Sequence, residues 1–169
     1  MDFNQEISNE FSHFCDSDHG SNTEFANQRR SQTGYISIMN GAPIMWKSQV
    51  QSIAATSSTE AEIYAASKAT QDFMYLSHIS SELGIKDFAK PFHLQIDNAA
   101  AIQFMDDSSR VSKLKHIDLR ECWVKHMRDS AEVLPIKVDT EDNLSDLLTK
   151  PLNKPRFEYL VQQILKCSP

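Results

Sequence analysis

Residues 35–47 read "YISIMNGAPIMWK". Ile36 and Ile38 share one face of an extended backbone. Tyr35, Ser37 and Met39 share the other, and Asn40-Gly41 follows at once. Such alternation marks a half-buried strand, and Asn-Gly is a strong hairpin signal because both positions tolerate positive φ. "PIMWKSQ" supplies the return strand, and "SIAATSS" reads as a further short strand. The period then changes, and residues 57–83 carry apolar positions at helical spacing. Earlier, "FSHFC" (residues 11–15) reads as a strand ended by Asp16, and "SNTEFANQRRSQT" as a loop.

The remainder alternates. "FHLQID" (92–97) is a strand ending in an acid, "NAAAIQFM" a short helix, residues 117–128 a helix and "EVLPIKV" a strand. "EDNLSDLLTK" reads as a helix closed by Pro151, because proline disfavours helix in the residue before it. Phe157, Leu160, Val161, Ile164 and Leu165 form a last amphipathic stripe. A hairpin followed by helix–strand alternation implies an α/β chain: a mixed sheet with helices packed on it. Residues 1–9 read as a frayed start, and residues 10–169 as one domain.

Composition narrows the chemistry. A net charge of −6 argues against a uniformly basic nucleic-acid binder but leaves room for a local basic track. Four glycines leave no GxGxxG or Walker-type loop, and HExxH, GxSxG and CxxC are missing too. Any chemistry must then rest on carboxylates, histidines or a metal. No apolar run approaches the roughly 20 residues of a bilayer span, so no membrane partner is expected. The acidic, polar "MDFNQEISNEF" does not read as a signal peptide, and three cysteines without framework spacing suit a reducing, intracellular compartment.

Position filters the 23 acids. Asp16 and Asp97 close strands, where open α/β sheets gather ligands. Asp146 lies beside Leu144, Leu147 and Leu148. Each alone could be a solvated acid or a cap. Glu60 and Glu62 are distinguishable, because two helical steps separate them by about 200°. Ala66, Ala69, Phe73 and Leu76 fall within roughly 40° of Glu62. Glu62 is therefore in line with the core stripe, whereas Glu60 faces solvent. Ser57-x-x-Glu60 and Thr59-x-x-Glu62 both match a capping box, and the stripe favours the first.

At these residues the chain resembles a known family. "RRSQTGYISIMNGAPIMWKSQVQSIAATSSTEAEIYAAS", "KHIDLR" and "TEDNLSDLLTKPL" are similar to the ribonuclease H domain of copia-type retrotransposon polyproteins, over residues 14–165. The resemblance implies a ribonuclease H-like fold, a five-stranded mixed sheet with helices packed on it. It implies cleavage of the RNA strand of RNA–DNA hybrids during reverse transcription. Matching motif by motif, it implies catalytic and metal-binding roles for Asp16 (Asp18 less closely), Glu62, Asp97 and Asp146. These acids would hold two Mg²⁺ ions, with Mn²⁺ as the alternative. It also implies a cytoplasmic setting, including virus-like particles, or a nuclear one.

Departures from the family pattern bear on turnover. Many cellular ribonucleases H carry a loop histidine before the last acid. Here "KVDTEDNLSD" has none, leaving Glu141 or Asp142 as weak substitutes, and His19 stands where copia relatives often have an aromatic residue. An adjacent reverse transcriptase domain could then carry part of the hybrid binding. The alternative is a catalytically weak or inactive module derived from a retrotransposon.

Candidate phosphate contacts are Arg29, Arg30, Arg110, Lys113, Lys115, His116, Arg120, Lys125, Arg128, Lys150, Lys154 and Arg156, each equally a solvated charge. Asn98 either caps the helix after Asp97 or contacts the nucleic-acid backbone. Cys15-x-x-x-His19 and Cys122-x-x-x-His126 are poor zinc signals, since Cys15 and Asp16 point to opposite faces of a strand. Trp46 and Trp123 read as core or sheet-face residues.

Overall fold

The computed structural model describes residues 11–20, 29–84, 90–107 and 119–165. The elements in chain order are β1 (Phe11–Asp18), β2 (Gln32–Met39), β3 (Ala42–Val50), α1 (Ser58–Glu82), β4 (Phe92–Ile96), α2 (Ala99–Asp106), α3 (Leu119–Asp129) and β5 (Val133–Lys137). Two 3-10 turns, Thr140–Asp142 and Leu144–Leu148, lead to α4 (Lys154–Leu165). The strands form one five-stranded mixed sheet in the order β3-β2-β1-β4-β5. β1–β2 and β2–β3 are antiparallel, while β1–β4 and β4–β5 are parallel. The frayed start expected at residues 1–9 lies outside the described residues.

The hairpin forms where the sequence asks for it. Asn40 and Gly41 both have positive φ, 51° and 79°, which is the twist a tight two-residue turn between strands requires. β1 is the central strand and is covered on both faces. His13 and Cys15 join Tyr35, Phe73, Leu94, Ile96 and Val124 under α1, α2 and α3. Phe14 joins Ile36, Ile38, Val138 and Leu144 under the 3-10 segment and Leu160 of α4.

Several elements depart from the sequence reading. β1 continues to Asp18, because its pairing with β2 runs through Asp16↔Gly34 to Asp18↔Gln32. Asp16 therefore sits inside the strand. "SIAATSS" forms no strand: its backbone bends into α1, and Gln51 just before it leaves the β2–β3 ladder. "EDNLSDLLTK" is two 3-10 turns, not one helix, since Asn143 interrupts it and caps the second turn. On α4 the expected stripe is narrower. Leu160 is fully buried, but Phe157 and Leu165 are exposed. Trp46 lies on the sheet face but is 62% exposed, because β3 is an edge strand.

α1 starts as expected and ends its capping differently. Ser57 Oγ accepts the Glu60 amide at 3.1 Å. The Glu60 carboxylate reaches back one residue further than a standard capping box, accepting the amide and hydroxyl of Thr56, both at 2.6 Å. Glu62, Ala66, Ala69 and Phe73 are buried on the face turned to the sheet.

His13 is a fully buried imidazole in this core, ringed by Phe11, Phe73 and Phe92. Nε2 faces the Ala69 carbonyl at 3.4 Å, which can only accept, so Nε2 carries the proton and the Ser37 hydroxyl donates to Nδ1. Burial lowers its pKa to about 4, the Ala69 bond opposing the shift. The folded value lies below the unfolded one near 6.5, so the unfolded chain takes the proton first. His13 thus contributes stability that is complete above about pH 6.5 and declines toward pH 4, by about 3 kcal/mol in all. An NMR titration should find the His13 ring still neutral at pH 5. A midpoint above 6 would contradict this packing.

Candidate metal centre

β1 and β4 run parallel, so their carboxyl ends open on the same side. Asp16 projects near the end of β1 and Asp97 directly follows β4. The second 3-10 turn carries Asp146 to the same point. One carboxylate oxygen from each of Asp16, Asp97 and Asp146 lies within 4.8 Å of the others. Asp16 and Asp146 are buried, and Asp97 is half-buried. Among the described residues, these three aspartates are the group able to hold a metal ion. The Cys/His spacings do not join it: Cys15 is in the core, and His19 contacts the Ala55 carbonyl at 3.1 Å.

Glu62 approaches from α1. It accepts the Ser17 backbone amide, and its Oε2 is buried with no hydrogen-bond partner. Burial pushes its pKa well above the ordinary carboxylate range, with Asp16 and Asp97 adding to the rise. Burial likewise raises Asp16, to about 6; Lys150 and Thr149 oppose the rise and Asp146 adds to it. The neighbouring Cys15 thiol is raised by burial and by Glu62, Asp16 and Asp97, so it stays protonated. Four acids thus converge, and burial is the largest cause of the rise at both Asp16 and Glu62.

The segment after β5 answers that charge. Lys150 Nζ lies 3.1 Å from Asp16 Oδ1 and 2.7 Å from Asp146 Oδ1. Thr149 donates its hydroxyl to Asp16 Oδ2. Arg156 Nη2 donates to Asp146 Oδ2 at 3.2 Å and to the Thr140 carbonyl, and Nη1 pairs with Glu141. Asn143, fully buried, caps the second turn through the Ser145 amide at 3.2 Å and ties it to the Cys15 carbonyl at 3.4 Å. Sequence reading offered Lys150 and Arg156 as phosphate contacts. They are engaged by carboxylates instead, and Lys154 pairs with Glu158 at the exposed surface.

Other sequence candidates divide. Asn98 caps α2, its Oδ1 accepting the amides of Ala100 and Ala101 at 3.0 and 3.1 Å. Lys113, Lys115 and His116 lie outside the described residues, as does Arg110; Arg120 is on α3, with its side chain outside them. Lys125 is buried over the Phe104 ring and donates to the Asp107 carbonyl at 2.8 Å, so it closes α2 and does not face solvent. Arg128 pairs with Asp106 and Asp129. Glu141 and Asp142, the substitutes for a loop histidine, are engaged by Arg156 and Tyr159 of α4.

No family model matches the chain. Curated relatives do. The Pol polyprotein of transposon TNT 1-94 of Nicotiana tabacum is 34% identical over 130 residues, 77% of this chain and 10% of that protein. The transposon RE1 Pol polyprotein of Arabidopsis thaliana is 30% identical over 134 residues, 79% of this chain and 9% of that one. The Ty1-NL2 Gag-Pol polyprotein of Saccharomyces cerevisiae is 33% identical over 150 residues, covering 85% and 8%. The chain spans about a tenth of the length of these relatives. Among solved structures, LC11-RNase H1 in complex with an RNA/DNA hybrid aligns with TM-score 0.56 and 16% identity over 83% of this chain and 94% of that one. The N-terminal RNase H domain of a Mycobacterium tuberculosis protein aligns with TM-score 0.51 and 15% identity over 90% and 98%.

The sheet order, the helices and these structural neighbours define a ribonuclease H-like fold. Within that class, the sequence relatives are specific: the chain belongs to the ribonuclease H domains of copia-type retrotransposon Pol polyproteins.

Gly34 shows how closely the Asp146 segment is pressed on the sheet. It pairs with Asp16 across β1–β2, and a Cβ there would lie 2.6 Å from Thr149 Cγ2 and 2.8 Å from Leu148 Cβ. Gly34→Ala should push back the segment holding Thr149 and Lys150. The expected loss is about 1–3 kcal/mol, read as a melting point lower by about 2–10 °C. An unchanged melting point would mean the segment does not rest on β2.

Proposed function

We propose that this chain is a Mg²⁺-dependent ribonuclease H that cleaves the RNA strand of RNA–DNA hybrids during retroelement reverse transcription. The observation that carries the reading is the convergence of Asp16, Asp97 and Asp146 within 4.8 Å, beside a Glu62 oxygen that is buried without a partner. A carboxylate left in that condition is costly unless a cation meets it. The donors are all carboxylate oxygens, which suits a hard ion such as Mg²⁺, or Mn²⁺, over zinc or copper. The residues present therefore fit the group.

Asp16, Glu62, Asp97 and Asp146 would hold two such ions. When bound, they supply a nucleophilic water and neutralise charge at the leaving 3′ oxygen in an in-line displacement. The chain's own contribution is orientation. Thr149 fixes one oxygen of Asp16, Arg156 one oxygen of Asp146, and the Ser17 amide one oxygen of Glu62. Lys137 donates to the Asp97 carbonyl and holds the end of β4. A hybrid is read through groove shape and 2′-hydroxyls, so no base-reading side chains are needed. The similarity to LC11-RNase H1, which was solved with such a hybrid, is in fold and supports this substrate class only as far as the fold does. An adjacent reverse transcriptase domain is the proposed neighbour, since the relatives are Pol polyproteins about ten times longer.

The rival reading, a non-catalytic module, draws on two observations. The loop before Asp146 has no histidine, and Lys150 already pairs with two of the four acids. A labelled hybrid separates the readings. Asp97→Asn should lower Mg²⁺-dependent cleavage by more than about 10²-fold, with the circular dichroism spectrum unchanged. Undiminished cleavage would remove Asp97 from the site. A wild-type protein that cleaves in neither Mg²⁺ nor Mn²⁺ at high concentration would favour the module.

The raised carboxylates give a second test. Asp16 titrates near 6 and Glu62 above its usual range, so a cation must displace protons to bind there. Mn²⁺ affinity should rise from pH 5.5 to 7.5. Calorimetry in buffers of different ionisation heat should detect protons released on binding at pH 6. Affinity flat across this range would contradict the assigned ligands.

A further inference from the structure

Each of the two acids on the α4 side of the site is held by one oxygen and engaged by the other. Asp16 Oδ2 accepts from Thr149, and Asp146 Oδ2 accepts from Arg156. The two remaining oxygens, Asp16 Oδ1 and Asp146 Oδ1, meet at one ammonium, that of Lys150. On the α1 side the pattern differs: among the described residues neither Glu62 nor Asp97 forms an ion pair, and Glu62 Oε2 is buried without a partner.

We propose that Lys150 is a built-in counter-ion that competes with a divalent cation for the position between Asp16 and Asp146. The inference rests on the metal-dependent reading above and deepens it. An ion bridging these acids would take oxygen lone pairs at about 2.1 Å. Those are the lone pairs that Lys150 occupies, at 3.1 and 2.7 Å, and two cations on the same oxygens repel.

The surroundings suit exchange better than permanent pairing. Lys150 is fixed at its backbone, where its amide donates to the Asp146 carbonyl at 3.0 Å and Pro151 follows. Its side chain is 31% exposed, on a flexible four-carbon stem, so the ammonium can swing to water. Thr149 and Arg156 keep both carboxylates aimed inward when it does. Lys150 would thus lower the repulsion between Asp16 and Asp146 whenever no ion bridges them, and would weaken the ion's hold once it binds.

A purely structural ion pair predicts something else: removing it should cost stability and leave metal affinity unchanged or weaker. Lys150→Met keeps the stem and removes the charge. Titrated with Mn²⁺ by calorimetry at pH 7.5, it should bind at least one ion roughly tenfold more tightly than wild type. In EDTA it should melt lower than wild type, and Mn²⁺ should raise its melting point by more. Lys150→Arg, which keeps the charge, should stay near wild type in both measurements. If Lys150→Met does not fold, Lys150→Gln makes the same comparison.

Wild-type Mn²⁺ binding that is unchanged or weakened by loss of the charge would overturn the counter-ion while leaving the metal site standing. If wild type, Lys150→Met and Lys150→Gln all bind no Mn²⁺, both the metal reading and the counter-ion fail. Lys150→Met binding Mn²⁺ where wild type does not would support the counter-ion and point to a wild-type site held shut by it.

Discussion

Two parallel strands ending side by side bring Asp16 and Asp97 together, and the chain then adds Asp146 within 4.8 Å and Glu62 beside them. Two unit charges at that distance repel by about 3 kcal/mol at an effective dielectric of 20. Burial adds a desolvation cost to each. Left alone, such a cluster would take up protons or open to water. Much of the fold around it serves as an answer to that charge. The Ser17 amide meets Glu62, Thr149 and Lys150 meet Asp16, and Lys150 and Arg156 meet Asp146.

Apart from the Ser17 amide, these answers depend on one stretch, residues 140–156, packed against β1 and β2. Gly34 permits the approach by having no side chain opposite Thr149 and Leu148. Asn143 anchors the stretch to the β1 backbone, and Leu144 and Leu160 supply the apolar contact that holds it there. Packing and electrostatics are therefore coupled. A change that lifts the stretch removes the counter-charges from Asp16 and Asp146 together.

Much of this was legible in the sequence where a local pattern carried the information. Alternation around Ile36 and Ile38 with Asn40-Gly41 specified the hairpin, and the apolar phase of residues 57–83 separated Glu62 from Glu60 without reference to any relative. The misses have physical reasons. "EDNLSDLLTK" satisfies an α-helical spacing of leucines, but Asn143 caps a new turn in its middle, and 3-10 geometry presents Leu144, Leu147 and Leu148 to the sheet equally well. The polar end of β1 gave no strand signal because its partners are Gly34, Thr33 and Gln32, not an apolar layer. Lys150 and Arg156 looked like surface cations because their partners are acids fixed by tertiary structure; Asp16 is 134 residues from Lys150.

That last point changes how the chain's charge should be weighed against the proposed polyanionic substrate. Lys125 closes α2 from within the core, Arg128 pairs with two aspartates, and Lys150 and Arg156 are committed to the acid cluster. Each of these cations was open to a phosphate on sequence grounds, and none is idle in the fold. Phosphate affinity scales with the number of cations that release counter-ions on binding. Under the proposed function, a chain of net charge −6 that spends its central cations on its own carboxylates would hold a hybrid mainly through peripheral basic residues or an adjacent domain. Divalent ions bear on the same balance. An ion that displaced Lys150 from Asp16 and Asp146 would free an ammonium at the mouth of the site, where a phosphate could meet it. Metal binding and backbone binding would then reinforce each other through one side chain.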